Sequence, residues 1–125
     1  MWEQVFKYRH LPQKSVLELF SEILVAMATL FEVPTSTIHM FWEDKSTMIA
    51  FNSDNQLYFN VRYFDCWHYY KGTVKMKEAT VFWFFSFCHE LAHHVEKMHN
   101  EAHEYVMQAI ATRYMPKLVE IMKEL

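Results

Sequence analysis

Between Ala79 and Cys88 the chain reads ATVFWFFSFC, and HELAHH follows directly. Large rings at consecutive positions leave no polar face, so a helix built from this run must be covered on nearly every side by the rest of the molecule. The run is about half the roughly 20 residues that a membrane span needs, so a buried helix is expected. That helix should begin near residues 73–79 and reach about Lys97, with Val81, Phe82, Trp83, Phe84, Phe85, Phe87, Leu91 and Ala92 as its apolar positions.

The rest of the chain has to supply that cover. Of its 125 residues, 52% are hydrophobic and 18% aromatic, with one Gly and three Pro, which implies a single compact domain over residues 1–125 rather than a disordered chain. Net charge is −3 and no run of Lys or Arg exceeds two residues, so nucleic acid is not an expected partner. The first ten residues show no signal-peptide pattern, which points to a cytoplasmic setting with no membrane anchor. Cys66 and Cys88 lack CxxC spacing and read as free, buried thiols.

Apolar residues at Val16, Phe20, Ile23, Met27 and Leu30, flanked by Leu17 and Leu24, carry the i, i+3, i+4, i+7 rhythm of an amphipathic helix from Lys14 to Phe31. Pro34 stops it near Glu32. Residues 38–43, 47–51 and 57–64 are rich in β-branched and aromatic side chains and are separated by turn chemistry, which predicts a three-stranded, mostly antiparallel meander. Residues 65–78 form a connection around Gly72. Asn100 caps a last helix carrying Val106, Ile110, Met115, Leu118 and Ile121, which Pro116 should break or kink. The predicted class is α+β.

The window from residue 88 to 103, CHELAHHVEKMHNEAH, holds five of the eight histidines. Residues four apart share a helix face, so His89 and His93 can aim two imidazoles at one point, the geometry of two zinc ligands. Glu90, roughly 100° round the helix, is placed to act as a general base on water rather than as a third ligand. HExxH alone would arise in a shuffled chain about once in twenty. Its position at the end of the most apolar helix adds weight, because two imidazoles and a carboxylate are costly to bury without a metal or hydrogen bonds.

With its His93-to-His99 step of six residues, HELAHHVEKMHNEAHEYV resembles the zincin metallopeptidases of HExxHxxxxxH type. It is similar to compact members such as the WLM family and to the C-terminal HELAHN segment of sacsin-like and NO VEIN-like ATPase proteins. The resemblance implies a zincin-like fold with an N-terminal helix, a small sheet, a buried active-site helix and a C-terminal helix. It also implies Zn²⁺ held by His89, His93 and His99, Glu90 as catalytic acid/base, and peptide or protein substrates. Relatives usually place a glycine between the second and third ligands, where this chain has HisValGluLysMet at 94–98. On an unbroken helix His99 would lie roughly 120° from His93, so the helix must end near Glu96 or Lys97, or the third ligand is His103 or Glu104.

Other residues read more plainly. The His103 ring could help cap the last helix, and Met115 could pack in the core. His10, His39 and His68 stand alone as surface or hydrogen-bonded core residues. Strand 47–51 or strand 57–61 could pair with an extended peptide. A non-catalytic zinc-binding interaction module, cut from a larger protein, is the competing expectation.

Overall fold

The computed structural model describes residues 14–70 and 73–125; His10 and Gly72 lie outside that range. The elements in chain order are α1 (Lys14–Phe31), β1 (Ile38–Phe41), β2 (Ala50–Ser53), β3 (Gln56–Asn60), α2 (Val61–His68), β4 (Tyr69–Tyr70), β5 (Thr73–Val74), α3 (Met76–Ala92) and α4 (Glu101–Met122), with one 3-10 turn at Thr35–Thr37. This is an α+β arrangement, with helices packed around a small mixed sheet. None of the described helices is long and apolar enough to cross a membrane.

Helix α1 follows its sequence pattern: Val16, Leu17, Phe20, Ile23, Leu24, Met27 and Leu30 are all buried. It ends at Phe31, and Glu32 just beyond it is left-handed, with φ of 59°. The Val33 amide donates to the Ala28 carbonyl at 2.9 Å and the Glu32 amide to Thr29 at 3.2 Å, which satisfies carbonyls that the helix end would leave open.

The sheet corrects the expected meander. Strand order is β1-β3-β2, with β1 parallel to β3 and β2 antiparallel to β3. The β2–β3 hairpin closes through Asp54 and Asn55, both at positive φ (51° and 61°), the two-residue turn that the AsnSerAspAsnGln stretch favours. The segment between β1 and β2 instead crosses to the far edge, and Asn60 holds it there. This fully buried residue donates from Nδ2 to the Glu43 and Met48 carbonyls (3.0 and 2.8 Å) and accepts from the Glu43 amide at 3.2 Å. Its Oδ1 also accepts from the Arg62 amide, capping α2. Residues 61–64, expected to continue the third strand, are therefore the first turn of a helix. Val61, Phe64 and His68 are its buried face, at helical spacing.

Helix α3 is central, as its composition requires. Phe20 of α1 meets Trp83 edge-on at 4.8 Å, Phe31 stacks on Phe84 and Phe87 at 5.2 and 5.6 Å, and Phe59 of β3 stacks on Phe87 at 4.5 Å. Each such ring contributes roughly 1.5–3 kcal/mol through burial. Helix α4 covers another side and runs through Pro116 without a break. Pro116 and Thr112, whose carbonyl the ring would displace, are both exposed, so water can satisfy that group. Met115 packs against the core. Cys88 is buried, whereas Cys66 is exposed rather than buried, and both are free.

Candidate metal centre

Helix α3 stops at Ala92, earlier than the expected Glu96 or Lys97. The chain turns through short-range bonds: the amides of His93, His94 and Val95 donate to the carbonyls of Glu90, Leu91 and Ala92 at 3.0–3.1 Å. No residue from 93 to 100 has positive φ, so the turn does not need the glycine that is absent there. Side chains hold it instead. His93 Nδ1 lies 2.9 Å from the Glu96 carbonyl and donates to it. Glu96 Oε1 accepts from the Met98 amide at 3.1 Å and from Asn100 Nδ2 at 3.4 Å. Asn100 Oδ1 accepts from the His103 amide at 3.0 Å and starts α4. From the sheet side, Asn52 Nδ2 donates to the Glu90 carbonyl at 3.0 Å and ties β2 to the end of α3.

This turn carries His99 back over the helix end. His99 Nε2 lies 3.2 Å from His89 Nε2 and 3.1 Å from His93 Nε2. Hydrogen bonding alone does not account for both contacts. With the His93 proton on Nδ1, its Nε2 is a bare lone pair, and the one His99 nitrogen can donate to only one neighbour. A cation would satisfy all three at once. Nitrogens at about 2.0–2.1 Å from a tetrahedral zinc are separated by about 3.3 Å, close to the spacings found.

His103 is the residue that the sequence undervalued. Its ring does not cap α4; it is buried against the cluster, 4.2 Å from the His93 ring centroid and 4.5 Å from that of His89, while Nε2 donates to the His89 carbonyl at 2.9 Å. His89, His93 and His103 have ring nitrogens within 4.8 Å of one another and could together hold a metal ion. The bond to the His89 carbonyl occupies one His103 nitrogen, which makes this ring a less free donor than His99. A signal existed in the sequence: His103, Met107, Ile110 and Tyr114 follow helical spacing, and the last three pack on the core. Glu104, the other alternative, is exposed, as is His94.

The Glu90 side chain is buried, its Oε2 4.0 Å from His89 Nε2, and burial pushes its carboxyl up to about 7. Burial, reinforced by the neighbouring His103, His93 and His99 rings, pulls His89 down to about 4, and burial lowers His93 as well. Both shifts favour the neutral imidazole at His89 and His93, the form that binds metal. A cleft of about 370 Å³ opens beside the cluster, walled by Met48, Ala50 and Asn52 opposite His89, Glu90 and His99. His39 and His68 take no part in it: His39 Nε2 pairs with Gln56 Oε1 at 2.8 Å on the sheet, and His68 is buried in α2.

No known protein family, curated protein or solved structure matches the chain.

Proposed function

We propose that this chain is a compact zincin-like zinc metallopeptidase that hydrolyses peptide bonds in peptide or protein substrates. The observation that carries the proposal is the convergence of three Nε2 atoms, 3.1 and 3.2 Å apart at His99, beside a buried carboxylate. His89, His93 and His99 would hold the ion. Zinc bound there supplies a Lewis acid that polarises a carbonyl and lowers the pKa of water toward about 7.

The remaining chemistry belongs to the chain. Glu90 takes a proton from water as it attacks the carbonyl, and then gives that proton to the departing amine. The bond from His93 Nδ1 to the Glu96 carbonyl fixes the tautomer and leaves Nε2 free to ligate. The edge of β2 that faces away from β3 can pair with an extended substrate; β3 cannot, because it is bonded on both sides. Two free cysteines fit a reducing, cytoplasmic setting.

Purified protein should carry about one equivalent of zinc, and Glu90→Gln should keep that metal while lowering casein cleavage by roughly 10²- to 10⁴-fold. A folded protein with no affinity for zinc, or a Glu90→Gln variant as active as the parent, would overturn the proposal.

The packing of His103 favours one alternative, a non-catalytic zinc module in which His103 closes the site as a fourth protein ligand. X-ray absorption of the zinc-loaded protein separates the two. Three nitrogens with one solvent oxygen favour the peptidase, and four nitrogens favour the module.

A further inference from the structure

Helix α3 is apolar all round but is not buried all round. Trp83, Phe84, Phe87 and Cys88 are fully inaccessible, whereas Val81 and Phe82 are only half-buried and Phe85 is 38% exposed. The half-buried face leads, at steps of three and four residues, from Phe82 through Phe85 and Ser86 to His89. It floors a groove of about 790 Å³, within the size range of ligand pockets. Ile49 and Ala50 on the sheet side and Met122 of α4 line it as well. Ala50, His89 and Glu90 line both this groove and the smaller cleft beside the histidine cluster, so the two spaces adjoin at those residues.

We propose that this groove is the selectivity pocket of the site and takes one bulky apolar side chain, aromatic or long aliphatic, of the substrate next to the bond that is cut. The inference rests on the peptidase reading above. Three observations select this occupant. The groove adjoins the histidine cluster, so its ligand must be continuous with whatever lies in the cleft. Its apolar floor from Val81 to Ser86 spans about 7.5 Å of helix, the length of an arylalkyl side chain and too short to seat an amphipathic helix. Lys77 and Glu78 line the groove beyond that stretch and limit its apolar reach. Exposed apolar surface of this kind is unfavourable in water and is stabilised when a ligand covers it.

The test compares two zinc-binding probes on the zinc-loaded protein by calorimetry: acetohydroxamate, which reaches only the metal, and 4-phenylbutyrohydroxamate, which adds an arylalkyl arm. The longer probe should bind roughly 10- to 100-fold more tightly, the gain expected from burying one ring. Ser86→Trp, which fills the groove, should remove that gain while leaving zinc content and acetohydroxamate affinity unchanged. Phe85→Glu, at a position 38% exposed, should reduce it as well, with the denaturant midpoint of the variant checking that it folds. Equal affinity of the two probes in the parent protein, or a gain that survives both substitutions, overturns the pocket. If neither hydroxamate binds, the metal reading fails, and saturation-transfer NMR with 4-phenylbutanol tests the groove by itself. Binding that Ser86→Trp abolishes supports the apolar pocket, and no binding overturns it.

Discussion

The two halves of the histidine window are built in different ways. Residues 88–92 end a helix whose inner face is locked into the core: Phe87, Cys88 and Ala92 are fully buried and Leu91 nearly so. Residues 93–100 form a turn whose side chains are largely in water, with Val95 73% and Met98 68% exposed. In the first half, position follows from packing, and His89 and Glu90 inherit the rigidity of α3. In the second, it follows from a few polar bonds made by His93, Glu96 and Asn100. A site assembled from both should therefore fail in two separable ways, through loss of the fold or through loss of the capacity to hold a metal alone.

Substitutions can break or sharpen that division. Phe87→Ala, in the packed half, should cost about 3–5 kcal/mol of stability, read as a lower denaturant midpoint with or without zinc. His99→Ala, in the turn, should leave the metal-free midpoint nearly unchanged yet weaken zinc binding by more than about 100-fold in a chelator competition, beyond the 10- to 100-fold typical of groups that only support a ligand. His103→Phe bridges the halves, because the ring packs on both α3 histidines and holds the His89 carbonyl. It should cost about 1–3 kcal/mol through the unpaired carbonyl and weaken zinc binding by about tenfold. Val95→Ser should be the smallest effect, within about 0.5 kcal/mol and silent in zinc affinity, since its side chain is in water. A large metal-free destabilisation by His99→Ala would erase the distinction and make the turn part of the core.

Much of the packed half was readable in the chain. The periodicity of α1, the all-round apolarity of α3 and the four-residue step from His89 to His93 are local patterns, and local patterns survive into any fold that buries them. The parallel pairing of β1 and β3 was not readable. It depends on Asn60 pinning a segment distant in sequence, and the β-branched and aromatic residues of 61–64 suit a strand as well as the helix they form. The place of His103 was half visible, as the first member of a helical stripe whose later members are apolar.

The sequence by itself determined that two imidazoles and a carboxylate stand at the end of a buried helix, because helical spacing and apolar cover dictate this wherever the helix lies. Only the tertiary structure decided how the chain returns to that end. The turn contains no glycine and no left-handed residue, and its course is set by hydrogen bonds from His93, Glu96 and Asn100. Those bonds join residues two to four apart and shape the turn, whereas the contacts of His99 and His103 with His89 need α4 packed back along α3, a condition that no local pattern carries.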